Sequence, residues 1–285
     1  MDKFLICQPL GGLNDLLCQI GMCIKYAEKY NRTLIIDTKS FSDLSDHFFN
    51  YFQVKDGINF IQYSLDITSL HKHPLFPKDI SLACNLSNVV PRCININLDF
   101  DDKFLLHRAY GGGIDSLYAL QYFTLSPYLS TIITERKKHI GKYDAVLIRN
   151  TDYKTDYQPL LNEIVKIKQD TTLFLFTDDF NVQLYAKTLQ FRKLIVNENL
   201  YKSRNPNVPI MTTSRADRSI KQKMINDEVI CDLFLASLAI YIYPSYINRL
   251  IHSNIPFMFM SGFVKLAIEL NKDTKLRDTL LNMST

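Results

Sequence analysis

Val146-Leu147-Ile148-Arg149-Asn150-Thr151-Asp152-Tyr153 is an apolar run that stops abruptly in a cation, a hydroxyl and a carboxylate. The apolar part reads as a buried strand, as in a parallel sheet covered by helices. Its polar end lies outside the carboxyl end of that strand, where ligands bind in open α/β sheets. An arginine there presents a planar fork of donors suited to a phosphate. Lys154-Thr155-Asp156 keep further polar groups at the same edge. Arg149 and Asp152 therefore read as functional rather than as a surface ion pair, which would contribute little.

Working outward, strand and helix patterns alternate on both sides of this stretch. Tyr128 to Ile140 reads as a helix, Ala145 to Ile148 as the strand and Tyr157 to Lys168 as the next helix. Thr172 to Phe176 is a strand closed by Thr177-Asp178-Asp179; Val182 to Leu189 is a helix and Lys193 to Asn197 a short strand. A long basic loop, Tyr201 to Lys223, separates these from a helix at Glu228 to Ala239 and a strand at Ile240 to Tyr243; Ile247 onward reads as helix. Such alternation predicts a parallel, Rossmann-like sheet. The N-terminal half opens the same way. Residues 3–8 read as a strand, Gly11-Gly12-Leu13-Asn14-Asp15 as a tight loop, Leu16 to Tyr30 as a helix and Thr33 to Asp37 as a second strand. That is a βαβ unit. Between 40 and 125, Phe41 to Phe52 reads as helical, Ile58 to Tyr63 and Cys93 to Leu98 as strands, and Gly111-Gly112-Gly113 as a loop. Ser126-Pro127 marks the expected boundary between two domains, 1–125 and 126–285.

Composition fits this organisation. The 285 residues suffice for one large domain or two smaller ones, and 47% apolar content supplies their cores. A net charge of +4 (33 basic minus 29 acidic) is too mild to argue for nucleic acid, and no nucleic-acid motif is present. The six cysteines, at 7, 18, 23, 84, 93 and 231, form no CxxC pair; they read as buried thiols in a reducing compartment. Met1 to Ile6 reads as a strand rather than a signal peptide, and the apolar run Val229 to Ile247, interrupted by Asp232 and Pro244, as helix then strand rather than a membrane span.

Several side chains carry two readings. Gly11, Gly12, Asn14 and Asp15 either let an anion approach a helix N-terminus or simply build the turn and its cap. GxGxxG and GxxxxGK[ST] are both missing, which disfavours a standard dinucleotide site or P-loop. Asp178 and Asp179 either orient a ribose or substrate hydroxyl or cap the next helix. Asp232, inside an apolar helix, needs a partner or a cleft. Ser245, after Pro244, either donates to a phosphate or caps a helix. Asp99-Phe100-Asp101 matches DxD, which can hold Mg²⁺ or Mn²⁺, but also reads as a solvated turn. His71, His73, His107, His139 and His252 have no metal-binding spacing, and no metal is assigned.

In order and spacing, these stretches resemble the α1,6-type fucosyltransferases, including the rhizobial nodulation enzymes, and more loosely the α1,2- and protein O-fucosyltransferases. The segment V-H-V-R-R-T-D-K of that family is similar to Val146 to Tyr153, and its T-D-D to Thr177-Asp178-Asp179. A later Asp, Leu-Ser, strand-ending Ser and helical Arg correspond to Asp232, Leu235-Ala236, Ser245 and Arg249. Near the N-terminus, G-x-G-D/C and R-T-L-x-x-(D/E) resemble Gly12-Leu13-Asn14-Asp15 and Arg32 to Asp37.

The resemblance implies a GT-B fold, two Rossmann-like domains facing a cleft. It implies a nucleotide-diphosphate sugar donor, with GDP favoured, bound by the C-terminal half, a glycan or lipid-linked glycan acceptor against the N-terminal half, and inversion without a metal or other cofactor. On that reading Arg149 and Ser245 hold the β-phosphate and stabilise the departing diphosphate. Asp232 contacts base or ribose; Asn150, Asp178, Asp179, Gly12 and Asn14 complete the donor site; Asp15 and Tyr153 face the acceptor. Leu147, Asn150 and Tyr153 replace the family's His, second Arg and Lys. The family's base glutamate position is Tyr157, which makes Asp156 the first candidate for the base and Asp152 the second. The lack of a Golgi stem and anchor implies a cytoplasmic bacterial enzyme of surface polysaccharide or lipopolysaccharide synthesis. The basic loop from Lys202 to Lys223 would neutralise a diphosphate or draw the protein to the inner membrane. Two alternatives remain: a metal-dependent GT-A enzyme using Asp99 and Asp101, and a non-catalytic glycan- or nucleotide-sugar-binding protein.

Overall fold

The computed structural model describes residues 3–39, 42–62, 93–113, 115–151, 154–168, 170–197, 222–250 and 256–283, with backbone alone at 247–250 and 256–259. The chain divides into two compact units, Met1–Ser130 with Asp278–Thr285, and Thr131–Arg277. The division falls after Ser130 rather than after Leu125, and the last residues rejoin the first unit, where Ser130 Oγ donates to the Leu281 carbonyl.

The first unit is built on a parallel sheet. Strand β1 (Phe4–Pro9) leads through helix α1 (Leu13–Lys29) to β2 (Thr33–Ile36), with β4 (Ile61–Gln62) beyond β2 and β5 (Phe104–Ala109) on the far side of β1. Alternation sorts the side chains. Ile6, Ile35, Phe104 and Leu106 form a core on one face, while His107 on the other face meets Gln19 of α1. Helix α1 buries Leu16, Leu17, Ile20, Cys23, Ile24 and Ala27 along one stripe. It stops at Tyr30, where Asn31 takes a positive φ of 49°. It also starts earlier than expected, since Asn14 and Asp15 lie in its first turn and Gly12 holds the capping position.

Residues 42–52 are not an α-helix. Only Phe48–Asn50 turn, as a 3₁₀ segment, before β3 (Phe52–Val54) pairs antiparallel with β6 (Phe123–Leu125). The Asp46 carboxylate accepts from His47 N, Asn50 Nδ2 and Tyr51 Oη, a local alternative to helical bonding. Phe48 stacks on Phe52 and meets Phe123 edge-on, so the aromatic run packs a two-stranded ribbon instead. Cys93–Leu98 is a turn, not a strand: Asn95 Oδ1 accepts from Asn97 N and its carbonyl from Leu98 N. Helix α2 (Ser116–Leu120) precedes β6.

Helix α3 (Pro127–Ile140) leads into the second unit. There β7 (Asp144–Ile148), α4 (Tyr157–Ile167), β8 (Thr172–Thr177), α5 (Phe180–Thr188) and β9 (Lys193–Val196) come in sequence, then α6 (Gln222–Ser237) and β10 (Ile242–Pro244). The strands are parallel in the order β10-β7-β8-β9. Val146, Ile148, Leu173 and Leu175 share a core with Leu161, Ile164, Val182 and Ala186 of α4 and α5. On α6, Leu235 O accepts from Tyr143 Oη at 2.6 Å. The expected helix from Ile247 begins only at Gly262: before it, β11 (Ile247–Leu250) and β12 (Pro256–Phe259) form an antiparallel pair, with Pro256 opening the second strand. Helices α7 (Gly262–Lys272) and α8 (Thr274–Leu280) end the chain. Of the basic loop, 201–221 lies outside the described residues, and Lys223 belongs to α6.

Candidate functional site

In the second unit, β8 and β9 build outward from β7 on one side and β10 returns on the other, so strand order reverses between β7 and β10. The carboxyl edge at such a reversal is the ligand position in doubly wound sheets. Arg149 leaves β7 there, and Ser245 leaves β10, its amide bonded to the Leu147 carbonyl at 2.8 Å. Ser245 is 5% exposed, and its Oγ is buried without a hydrogen-bond partner among the described residues. A buried hydroxyl left unbonded is costly; Ser126 Oγ, Arg32 Nε and His107 Nδ1 are unbonded likewise, and Ser245 differs from them in standing at the strand reversal. Arg149 keeps a third of its side chain exposed (32%), and its Nε lies 3.9 Å from Asp178 Oδ2.

The loop after β7 is held by β8. Asp178 accepts from Asn150 N at 2.8 Å and Thr151 Oγ1 at 2.6 Å. Asp179 caps α5 through Asn181 N at 2.8 Å, and its other oxygen accepts from Asn150 Nδ2 at 2.8 Å. Asn150 Oδ1 in turn accepts from Thr155 N at 2.9 Å. Asn150 and Asp179 are both buried. The geometry thus gives Asn150, Asp178 and Asp179 the work of fixing the edge on which Arg149 stands, and Asp179 the cap that the sequence offered as one reading. Asp156 sits at the capping position of α4, exposed and without a side-chain cap bond. Asp152 and Tyr153 lie outside the described residues.

Asp232 finds a partner at the end of β9. Asn197 Nδ2 bridges Asp232 Oδ1 at 3.0 Å and Glu228 Oε2 at 3.1 Å, and Glu228 takes the Arg136 guanidinium in a two-pronged pair of 2.9 and 2.7 Å. The Glu228 carboxylate, bonded to it, raises the Arg136 pKa above its ordinary value.

In the first unit the order reverses between β1 and β5. Two glycine-bearing loops close on Asp15 at this edge. A side chain at Gly11, whose φ is +93°, would come within 3.0 Å of Asp15 Oδ2, and one at Gly112 within 3.0 Å of Oδ1. Beside Gly12 the space is open. A row of buried polar groups that the sequence did not single out crosses the sheet beneath: Arg108 donates to Gln8 Oε1 at 2.9 and 2.6 Å, and Gln8 Nε2 to Asp37 Oδ2 at 2.8 Å. On the opposite face His107 Nε2 meets Gln19 Oε1 at 2.8 Å, and Gln19 Nε2 donates to the Gly111 carbonyl at 2.9 Å. Burial pulls the His107 pKa down to about 4. Signal for both lies in polar residues inside an otherwise apolar run, Phe104 to Ala109.

Asp99 and Asp101 stand elsewhere. Lys3 lies 3.9 and 3.5 Å from them, and the buried Arg32 approaches Asp99 at 3.5 Å while donating to the Asp102 carbonyl at 2.9 Å. Lys3, Arg32 and Asp102 precede β1, β2 and β5, so this cluster lies at the amino edge of the sheet. The DxD pair is therefore opposed by cations at the end away from the strand reversal.

No protein-family model matches the sequence, and no curated protein does. Solved structures do. NodZ alpha-1,6-fucosyltransferase co-crystallized with GDP matches with a TM-score of 0.61 at 14% identity, covering 94% of this chain and 92% of that one. Fucosyltransferase NodZ from Bradyrhizobium gives 0.62 at 15% identity, with 94% and 93% covered. A mutant of Arabidopsis thaliana FUT1 in complex with GDP gives 0.52 at 11% identity, with 95% and 69% covered. The chain has the fold of these fucosyltransferases. At such identities the likeness is one of architecture, and it agrees with the GT-B resemblance carried by Val146 to Tyr153, Thr177 to Asp179 and Ser245.

Proposed function

We propose that this protein is a fucosyltransferase-like glycosyltransferase that moves a sugar from a nucleotide-diphosphate sugar, a GDP sugar favoured, to a glycan or lipid-linked glycan, with release of the nucleoside diphosphate. The observation that carries the reading is that Arg149 and the buried Ser245 hydroxyl, unbonded among the described residues, follow the adjacent strands β7 and β10 at one edge. Both suit a diphosphate: the guanidinium balances charge that grows as the sugar–oxygen bond breaks, and Oγ gains its missing partner. The GDP and GDP-fucose in structures of NodZ support the donor class.

In an inverting step the acceptor oxygen bonds to the anomeric carbon as the bond to the β-phosphate oxygen breaks. The hydroxyl proton passes to a carboxylate. Asp156 is assigned as that base, from its exposure at the loop edge, with Asp152 as second choice. Asp232 is assigned to base or ribose, Gly12 and Asn14 to the donor, and Asp15 and Tyr153 to the acceptor. No metal or resident cofactor is assigned a step. The biological setting we propose is bacterial surface polysaccharide or lipopolysaccharide synthesis in the cytoplasm; among the described residues no helix is long and apolar enough to cross a membrane.

The test is calorimetric titration with GDP, UDP, CMP and dTDP and their sugar conjugates, with and without EDTA. Selective binding of GDP, unchanged by EDTA, is expected. Selective binding of another nucleotide would replace the donor, EDTA-sensitive binding would revive a metal-dependent enzyme, and no binding would overturn the reading.

A further inference from the structure

The four parallel strands of the second unit share one amino edge, opposite the edge of Arg149 and Ser245. Three large apolar side chains are exposed there: Ile167 at 60%, Ile240 at 63% and Tyr241 at 56%. The backbone of two of them is hydrogen-bonded. Ile240 N donates to the Tyr143 carbonyl at 2.9 Å, and the Tyr241 carbonyl accepts from Ala145 N at 2.8 Å. The Tyr241 ring lies 4.7 Å from that of Tyr243. Lys168, next to Ile167, sits 6.0 Å over Tyr241 and 3.4 Å from the buried Asp144 carboxylate.

Cations surround these apolar groups. Lys138 and Lys142 stand at and just beyond α3's last turn, Lys166 ends α4, and Lys193 opens β9; all four are exposed or partly so. The edge's acids are largely engaged: Asp144 pairs with Lys168, and Asp170 with Arg192. Glu135 and Glu163 lie about a turn back along α3 and α4. Burial, and after it the Arg277 charge, pulls the Lys137 pKa below its ordinary value. Lysines at helix carboxyl ends also complement the helix dipole, but that does not account for two isoleucines and a tyrosine held out in water beside them.

We propose that this amino edge of the second unit docks on an anionic lipid bilayer. Ile167, Ile240 and Tyr241 enter the headgroup boundary, and the lysines meet lipid phosphates. A protein partner is less well matched, because lysine is depleted where proteins pack together. Strands of this length place the opposite edge roughly 17 Å away, so a ligand at Arg149 would stay in water. The inference does not depend on the nucleotide.

The full chain is sedimented, without nucleotide, with phosphatidylcholine vesicles and with vesicles containing one-third phosphatidylglycerol, at low salt. Binding is expected only to the anionic vesicles. Ile240→Ser with Tyr241→Ser should lower the partition coefficient about ten-fold. Lys138→Glu with Lys142→Glu should lower it by roughly five-fold per lysine or more. Both pairs lie at the surface, and unchanged melting temperatures show that the fold is kept. Failure of the wild-type chain to bind overturns the proposal. So does binding that neither variant weakens, or a dimer in sedimentation velocity that either variant dissolves while vesicles are ignored.

Discussion

Arg149 and Ser245, proposed to hold an anion, differ in their surroundings, and the difference is measurable. Arg149 is partly exposed and lies near Asp178, so it rests in a weak, solvent-screened pairing. Arg149→Ala should leave the fold intact and reduce sugar transfer by about 10²-fold or more, the usual loss when a key charge-stabilising donor goes. Steady-state rates on a folded variant check this; near-normal turnover removes the phosphate role. Ser245 carries the opposite signature, since its buried hydroxyl is unbonded among the described residues. Ser245→Ala should keep or raise the stability of the unliganded protein, by up to about 1 kcal/mol, while weakening donor binding by roughly ten-fold. Urea melts and donor titrations on one preparation read both signs. A loss of stability with unchanged binding would make Ser245 a structural residue. Both positions are legible in the sequence because each ends an apolar run in a polar residue. That Asn150, where the resembled enzymes carry a second arginine, is buried and bonded to Asp179 and Thr155 is not legible there. The contact with Asp179 spans 29 residues, and no local pattern records it.

At the scale of elements, the loop after β7 and the end of β8 form one hydrogen-bonded unit through Asp178 and Asp179. Asp179→Ala removes a helix cap and strands the Asn150 amide, and should cost about 1–3 kcal/mol. Chemical denaturation measures it, and a cost near zero would deny the coupling. In the first unit, β5 meets α1 through His107 and Gln19, and Gln19 holds Gly111. The buried His107 has its pKa lowered to about 4. Unfolded, it titrates near 6.5, so between these values the unfolded chain binds the extra proton and stability falls as pH falls. The loss should reach about 3 kcal/mol near the folded-state value and level off below it. A His107→Gln variant should show a flatter stability profile over that window; an identical slope in both proteins would contradict it.

These elements also show what the sequence hides. β7, β8 and α4 are legible because their apolar periods are uninterrupted. β5 is not, because His107 and Arg108 sit inside it and only partners from other elements make them tolerable. The β11–β12 pair, which runs from Leu250 opposite Pro256 to Ile247 opposite Phe259, reads as helix in the sequence because short apolar runs do not separate strand from helix by period. Phe41 to Phe52 reads as helix too, yet the Asp46 carboxylate and an aromatic cluster override helical propensity there.

At the scale of the molecule, two units each present the carboxyl edge of a parallel sheet at a reversal in strand order. That architecture matches the NodZ structures over 92–93% of their length at only 14–15% identity. At that identity the likeness is one of fold. On the proposed function, the β7–β10 edge holds a diphosphate. The most direct measurement is calorimetric binding of GDP and of guanosine to the wild-type chain and to Arg149→Ala. The wild type should bind GDP far more tightly than guanosine, and Arg149→Ala should lose most of that difference. Equal affinity for the two ligands, or GDP binding unchanged in Arg149→Ala, would contradict it.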